Sequence, residues 1–431
     1  MRSLIAFELK KLLSHRVAQV ACIGVLVILA GVMALNVVQT KTTNSTGEVL
    51  DGTAAIAQMR AEAQAHAGAL TPKRVEADMR TFMETAFSQI APEDVVDLSD
   101  AAAYQAVVET YGEGEIATIL DGYYGYLLMP WDSGHRESYQ VAAELVAQEG
   151  SIDAAARLVA STFYEAIGQE TQSRLDEGLN GVAPYTDVER AFWTEKQEQV
   201  AEPLAYGYAH GWEDILDCVA FLVFAMLAVC VTLAPTFCGE YREKADAVLL
   251  ATRHGRMRLA AAKVIAALLF TTAYFAVAAG IIAGMALAFF GADGAGLPVQ
   301  VMSLAIPYEL TMAQAALLAI GLAYLVTLGF AALTLALSAL FRSMLAVFVL
   351  DAVLLLLSGM IPAGDNAVLM HLLYLFPTNA LVPQLLLSMM ISYAAGPVVL
   401  DLIGMLVLVY AAVLLVAVPA GALTWRRHQV A

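Results

Sequence analysis

Long apolar runs alternate with polar segments along this chain, and the runs are long enough to cross a bilayer. A membrane-spanning helix needs about 20 predominantly apolar residues. Runs of this kind predict six transmembrane helices, at 17–38, 215–235, 264–290, 310–340, 344–360 and 398–423. The pattern therefore predicts an all-α integral membrane protein with six transmembrane helices.

Residues 1–16 predict an amphipathic interfacial helix that precedes the first transmembrane helix. Its polar face carries Glu8, Lys10 and Lys11, and its apolar face consists of Ile5, Leu9, Leu12 and Leu13. A helix of this kind is suited to the membrane interface. A signal peptide fits the N-terminus less well, because the apolar run is too long and no small-residue cleavage site follows it.

Residues 39–212 form a polar insert between the first and second transmembrane helices. Stretches rich in Ala, Glu and Gln recur there with helical spacing, and strand-like alternation is scarce. The predicted helices are 54–67, 72–90, 101–110, 115–128, 136–148, 152–179 with an internal break, and 188–208. The insert is thus predicted to be a large helical extracellular domain. Its many tyrosines either pack a helical core or line a ligand surface.

Charge separates the insert from the rest of the chain. The protein has 431 residues, of which 60% are hydrophobic and 15% charged, and its formal net charge is −17. Residues 40–212 contain 28 acidic and 10 basic residues, which leaves 12 acidic and 13 basic residues elsewhere. An acidic soluble domain is therefore inserted into a nearly neutral membrane domain. The lack of a basic surface argues against nucleic acid as a partner, and the lipid bilayer is the partner that the composition predicts.

The connection 237–263, between the second and third transmembrane helices, is rich in cations. It carries three acidic residues, Glu240, Glu243 and Asp246, against six basic ones, Arg242, Lys244, Arg253, Arg256, Arg258 and Lys263. A short, cation-rich connection between membrane helices is typical of the cytoplasmic side. Residues 245–252 predict a short helix along the membrane surface. The connection either serves only to orient the chain or is a docking element for a cytoplasmic partner.

The apolar segment 366–395 precedes the last transmembrane helix and contains Pro377 and Pro383, which interrupt a helix. With six transmembrane helices, all basic residues outside the insert are cytoplasmic, whereas a seventh would place Arg426 and Arg427 outside. The segment is therefore predicted to form short re-entrant helices on the outer face, where neighbouring protein buries the broken backbone. Both termini are predicted to be cytoplasmic.

One carboxylate, Asp351, is predicted near the middle of the fifth transmembrane helix. An ionisable residue at that depth is costly, which favours either a function in proton or substrate handling or a hydrogen bond between helices. The sequence contains no HExxH, GxSxG or GxxxxGK[ST] motif, and its four cysteines show no zinc-site spacing. The sequence therefore predicts no catalytic site, metal or bound cofactor in this chain.

The sequence EYREKADAVLLATRHGR at 240–256, with Lys263 after it, is similar to a loop of the permease subunits of ABC transporters of the ABC-2 exporter type. The departure is that Lys244-Ala245 or Ala245-Asp246 stands where Gly-Thr is usual. The N-terminal sequence FELKKLL, the six transmembrane helices and the paired short outer helices before the sixth also resemble this family. The resemblance covers the membrane part of the chain and not the insert.

This resemblance implies that residues 245–252 are a coupling helix, which fits a groove of a cytoplasmic ABC ATPase subunit. The residues implied to couple to the ATPase are Glu240, Arg242, Glu243, Asp246, Leu249, Leu250, Thr252, Arg253 and Arg256. ATP and Mg²⁺ would be bound by that partner, and a second permease copy or a homologous permease would complete a dimer. The composition also fits a bacterial plasma membrane.

Two other functions are compatible with the sequence. The chain would be a membrane-anchored receptor or scaffold if the insert binds a peptide or a cell-wall ligand without an ATPase partner. It would be an ion-coupled transporter if Asp351 binds the coupling ion. Inverted repeats would support the ion-coupled transporter, and the sequence shows none.

Overall fold

Helices make up most of the structure, which confirms the predicted predominance of α-helix. The computed structural model describes residues 1–43, 48–89, 91–92, 102, 105–106, 109, 122–132, 137–242 and 257–427. Its helices are α1 (Arg2–Ser14), α2 (Arg16–Gln39), α3 (Gly52–Ala65), α4 (Pro72–Gln89), α5 (Tyr123–Leu128), α6 (Ser138–Glu149), α7 (Ile152–Glu177), α8 (Asp187–Glu198), α9 (His210–Cys218), α10 (Leu222–Leu233), α11 (Pro235–Arg242), α12 (Arg258–Phe289), α13 (Met312–Leu340), α14 (Met344–Met360), α15 (Ala367–Tyr374), α16 (Pro377–Ala380), α17 (Pro383–Leu387) and α18 (Leu402–Arg427).

Three antiparallel two-stranded sheets accompany these helices. They consist of β1 (Lys41–Thr43) with β2 (Val49–Asp51), β3 (Gly68–Ala69) with β4 (Ala205–Tyr206), and β5 (Ser392–Ala395) with β6 (Val398–Asp401). The first two sheets lie in the insert, so the prediction that the insert is all-helical is wrong in this detail. Each strand is only two to four residues long, too short for the alternation of polar and apolar residues to reveal it.

Five helices of the described chain are long and apolar enough to cross a membrane. They are Arg16–Gln39, His210–Arg242, Arg258–Phe289, Met312–Leu340 and Leu402–Arg426, where His210–Arg242 comprises α9 to α11 with a short 3-10 turn between α9 and α10. Helix α14 is equally apolar but has only 17 residues. The protein therefore has the character of a multi-pass membrane protein.

The chain folds into two units, each packed mainly within itself. Unit 1 comprises Met1–Ala34, Asp214–Ala288 and Gln314–Ala431, and unit 2 comprises Leu35–Glu213 and Phe289–Ala313. Unit 2 thus contains the insert together with the connection between α12 and α13. Unit 2 is built from two separate segments of the sequence, each of which connects two of the long apolar helices.

Unit 2 has its own hydrophobic core, built chiefly by α4, α6 and α7. Residues of these helices such as Met79, Val141 and Phe163 are almost completely buried. Leu304, from the connection between α12 and α13, is part of the same core. The sequence did not reveal this contribution, since 299–308 has neither helical nor strand periodicity.

Two helix predictions for the insert are wrong in their boundaries. Helix α7 is continuous, with Ser151 accepting a hydrogen bond at its N-terminus and no proline within it to cause the predicted break. Helix α8 begins with a capping box at Thr186 and Glu189 but ends at Glu198, not 208. The chain beyond it passes Pro203, which cannot donate a backbone hydrogen bond, and then forms β4.

Several tyrosines of the insert, among them Tyr123, Tyr126, Tyr164 and Tyr206, pack into or against the core of unit 2. Tyr123 and Tyr126 are at least nine-tenths buried, and their rings lie 4.7 and 5.2 Å from that of Tyr206. The hydroxyl of Tyr126 donates to Gln300 O, and that of Tyr164 donates to Leu70 O. A buried ring with a bonded hydroxyl is the packing role that tyrosine commonly has.

The segment between α14 and α18 differs from the two predicted re-entrant helices at 366–395. It contains three short helices, α15 to α17, of which the last two begin at Pro377 and Pro383. Proline is well suited to a first helical position because its missing N–H needs no partner there. Strands β5 and β6 then form a hairpin around Gly396, whose φ is +65°. The last helix therefore begins at Leu402 and not at 398.

Candidate functional site

Lys263, near the start of α12, is a buried lysine whose ammonium group is fully bonded. Only 1% of its side chain is exposed. Its Nζ donates to Glu240 Oε1 at 2.8 Å, to Thr236 O at 3.0 Å and to Glu8 Oε2 at 3.1 Å. An ammonium has three N–H donors, so the three acceptors satisfy it completely.

Lys11 adds a second cation to this site. Its Nζ lies 2.7 Å from Glu240 Oε1, the same oxygen that Lys263 binds. Glu8, Lys11, Glu240 and Lys263, which we call the ion cluster, contribute two negative and two positive charges. Glu8 and Glu240 are almost as buried as Lys263, whereas 36% of the Lys11 side chain is exposed. Buried charges require this kind of mutual compensation, because removal from water costs several kcal/mol per ion.

Glu8, which was predicted on the polar face of the N-terminal helix, is buried in the structure. Glu8 and Leu12 are the buried residues of α1, while Leu13, which was predicted on the apolar face, is 53% exposed. The helical wheel could not predict this burial, because the counter-ion of Glu8, Lys263, comes from a distant part of the sequence. Lys10 is exposed, and Lys11 lies at the edge of the ion cluster.

The ion cluster joins the two ends of the cation-rich connection. Glu240 lies on α11, which ends at Arg242, and Lys263 lies in the second turn of α12, which begins at Arg258. The direct contact between Glu240 and Lys263 therefore holds the two ends of the connection together. Lys11 binds Glu240 and Glu8 binds Lys263, so both ends are also attached to α1.

Helix α11 is also held by two other helices of unit 1. Ser338 Oγ on α13 accepts from the backbone N–H groups of Phe237 and Cys238 and donates to Ala234 O. Trp425 on α18 is fully buried and lies against the ring of Phe237 at 5.3 Å. Trp425 therefore lies inside unit 1. These contacts make α11 a firmly held support for the ion cluster.

Of the residues implied to couple to an ATPase, the structure describes two. Glu240 belongs to the ion cluster, and Arg242 is exposed at the end of α11. The remaining predicted residues lie outside the described residues: Glu243, Asp246, Leu249, Leu250, Thr252, Arg253 and Arg256. The predicted coupling helix 245–252 lies outside them as well.

Asp351, on α14, is completely buried between helices of unit 1. Its Oδ2 accepts from Thr334 Oγ1 on α13 at 2.9 Å, and Thr334 Oγ1 is 3.5 Å from Cys230 Sγ on α10. Its Oδ1 has no hydrogen-bond partner among the described residues. Asp351 therefore bonds one neighbouring helix through a hydroxyl, and within the described chain no cation pairs with it. The sequence had singled out Asp351 but not Thr334 or Cys230, whose proximity is set by helix packing.

Among the described residues, no three His, Cys, Asp or Glu side chains come together in a way that could hold a metal ion. The four cysteines, Cys22, Cys218, Cys230 and Cys238, are all free thiols. Comparisons with protein-family models, curated proteins and solved structures found no match to this chain.

Proposed function

We propose that the chain is the membrane-spanning permease subunit of an ATP-driven exporter of the ABC-2 type. In this proposal six transmembrane helices cross a bacterial plasma membrane, with the insert outside and both termini in the cytoplasm. A separate cytoplasmic subunit binds ATP and Mg²⁺ and docks on the connection 237–263. Two permeases, identical or homologous, enclose the substrate pathway.

The observation that carries the proposal is the ion cluster at the two ends of the cation-rich connection. A loop that only orients a membrane protein needs cations but no buried attachment, because orientation depends on the distribution of Lys and Arg. Here Glu240 and Lys263 bind each other and bind α1 with almost no solvent exposure. Displacement of the connection would therefore move α1, α11 and α12 together, which is what a coupling element needs.

The distribution of the chain between its units supports the proposed topology. The insert and the connection between α12 and α13 belong to one unit, as expected if both are on the outer side. If α14 also crosses the membrane, Arg342 and Arg426 share the side of α1 and of the cation-rich connection. That arrangement agrees with the preference for Lys and Arg in cytoplasmic loops.

The ion cluster suggests how ATP hydrolysis would act on the transmembrane helices. Closure of two ATPase subunits would displace both copies of the connection, and α11 and α12 would carry that displacement into the membrane. Such a switch requires two packed arrangements of similar free energy, whose populations the bound nucleotide changes.

Purification of the full chain from its native membrane in mild detergent tests this proposal. We expect an ATPase with a phosphate-binding loop to co-purify, as identified by mass spectrometry. The double variant Arg253→Glu/Arg256→Glu should lose the ATPase while the amount of membrane-inserted chain is unchanged. A matched control, Arg2→Glu/Arg342→Glu, reverses two exposed cations outside the connection and should retain it.

Each of the other outcomes has a distinct meaning. Retention of the ATPase by Arg253→Glu/Arg256→Glu would contradict docking on the connection. A wild-type preparation free of any ATPase would contradict the exporter proposal and would favour a membrane-anchored receptor whose insert binds a ligand.

A further inference from the structure

The outward side of α1 exposes large apolar side chains. Phe7 is 62% exposed and Leu13 is 53% exposed, and both lie on the side of α1 opposite its buried residues, Glu8 and Leu12. Ala6, between them on the same side, is exposed as well. Exposed apolar patches of this kind mark surfaces that contact a membrane or another protein.

The exposed charges on this side of α1 are all positive. Arg2 and Lys10 on α1 and Arg16 at the start of α2 are exposed, and none of the three forms a salt bridge within the described chain. Glu8 is the only acidic residue among residues 1–47, and the ion cluster removes it from the surface. The outward surface of α1 therefore carries a positive charge that no acidic residue beside it compensates.

The junction between α1 and α2 places this surface at the edge of a membrane. Helix α2, which is long and apolar enough to cross a bilayer, begins at Arg16. One extended residue, His15, separates it from α1, and Gln19 Nε2 donates to Leu13 O at 2.7 Å, which fixes the turn. Where α2 enters a bilayer, α1 is therefore held at the interface between lipid and water.

We propose that the outward surface of α1 binds anionic phospholipids. Phe7 and Leu13 would insert among the acyl chains just below the headgroups, and Arg2, Lys10 and Arg16 would bind the phosphate groups. A helix with large apolar side chains and basic exposed charges is suited to such a surface, where each cation strengthens binding about fivefold. The inference depends only on the position of α2 in a membrane, so it holds whether the chain is an exporter or a receptor.

A cytoplasmic protein is the other occupant that an exposed surface of this kind could have. The structure favours lipid because the exposed apolar residues of α1 are followed by Val17 and Val20, each 72% exposed, at the start of an apolar helix. Lipid would cover these two valines and Leu13 together, whereas a cytoplasmic protein would reach only the residues outside the bilayer.

Photolabelling of the purified full chain in nanodiscs tests the inference. The nanodiscs consist of phosphatidylcholine with a small fraction of a phosphatidylglycerol or a phosphatidylcholine probe, each carrying the same photoreactive group near its headgroup. Mass spectrometry identifies the labelled peptides. We expect the phosphatidylglycerol probe to label residues 1–16 about fivefold more, or better, than the phosphatidylcholine probe. High salt should reduce this preference, because it screens exposed charges.

Two variants separate the charges from the apolar side chains. Arg2→Gln/Lys10→Gln should remove most of the preference for phosphatidylglycerol without changing the label from phosphatidylcholine. The matched control, Arg342→Gln/Arg426→Gln, removes two exposed cations elsewhere in unit 1 and should keep the preference. Phe7→Ser should reduce the label from both probes.

Three outcomes would overturn the proposal. Equal labelling of residues 1–16 by the two probes would show that the surface does not select anionic lipid. An equal loss of preference in the two double variants would assign it to the overall charge of the chain and not to α1. Absence of label from residues 1–16 with both probes would show that protein covers this surface.

Discussion

The two units satisfy their buried polar groups in different ways. In unit 1 the ion cluster compensates charge with charge, and Glu240 Oε1 alone accepts from both Lys11 and Lys263. In unit 2 the buried polar groups of the core are mainly neutral, as where the Tyr164 hydroxyl joins Leu70 O to Leu204 N. Loss of one ion leaves another charge buried and unpaired, whereas loss of one hydroxyl leaves only neutral groups without a partner. The ion cluster should therefore be far more sensitive to single substitutions.

The largest effect is expected from Lys263→Met. The apolar side chain leaves Glu8 without its salt bridge to Lys263 and Glu240 with Lys11 alone. Breaking a buried ion pair typically costs about 3–5 kcal/mol, so thermal unfolding of the purified chain should begin at a clearly lower temperature. Hydrogen–deuterium exchange should increase in α1, α11 and the start of α12.

A double variant tests whether unpaired charge causes the loss of stability in Lys263→Met. In Lys263→Met/Glu8→Gln the unpaired carboxylate is removed as well, and we expect part of the stability to return. If the double variant were as unstable as Lys263→Met, the loss would come from packing of the lysine side chain and not from unpaired charge.

A smaller effect is expected from Tyr164→Phe in unit 2. The substitution removes a hydroxyl that donates to Leu70 O and accepts from Leu204 N, and both leucines are almost completely buried. Two unsatisfied neutral groups cost about 1–3 kcal/mol, and faster hydrogen exchange should be confined to unit 2. Tyr124→Phe is the matched control, since that hydroxyl bonds no other described residue. An equal effect of both variants would contradict a role for the Tyr164 hydroxyl.

Within the ion cluster itself, Lys11→Met should cost much less than Lys263→Met. About a third of the Lys11 side chain is exposed, and pairs at the surface contribute about 0–1 kcal/mol. Lys10→Met, at an exposed position one residue away, should leave the unfolding temperature unchanged. A loss with Lys11→Met as large as that with Lys263→Met would show that both lysines are equally essential to the ion cluster.

The sequence predicted the helices of unit 1 well because length and hydropathy determine them. Residues 344–360 were predicted as a helix and form α14 with the same bounds. The start of α18 was not predictable in this way, since 398–401 is as apolar as a helix but pairs with β5 across Gly396. Hydrophobicity identifies a buried segment, whereas turn chemistry decides whether that segment is helix or strand.

The candidate site could be predicted only in part. Glu240 and Lys263 were implied by a resemblance in the loop, and the lysine and arginine pattern drew attention to the same region. The burial of Glu8 could not be predicted, because its partner Lys263 is 255 residues away in sequence. An open groove of unit 2, lined by residues such as Ala69, Tyr206 and Leu297, could not be predicted either, since it depends on the turn 293–297 folding against the insert.

The smallest effect is expected at His66. It tests how the protonation of one side chain affects the stability of unit 2. Burial lowers the pKa of His66, and Arg74 acts in the same direction, whereas Asp78 and Glu62 oppose it. The imidazole stacks on the ring of Tyr123 at 4.2 Å. Because the unfolded chain takes up this proton more readily, the contribution of neutral His66 to stability is complete above about pH 6.5 and decreases as the pH falls below it.

Substitution of His66 by glutamine should therefore reduce the pH dependence of unit 2. Between pH 7.5 and 5.5, once the intrinsic pH dependence of amide exchange is corrected for, protection in α4 and α5 should fall more in the wild type than in His66→Gln. The carboxylates of unit 2 are common to both proteins, so their titration cancels in the difference. The ion cluster of unit 1 contains no histidine, and exchange in α11 should change with pH by the same amount in both proteins.

If His66→Gln retained the full pH dependence of α4 and α5, the acid sensitivity of unit 2 would come from its carboxylates. The neutral core would then depend on charged groups at its edge, and the contrast with the ion cluster would be one of degree.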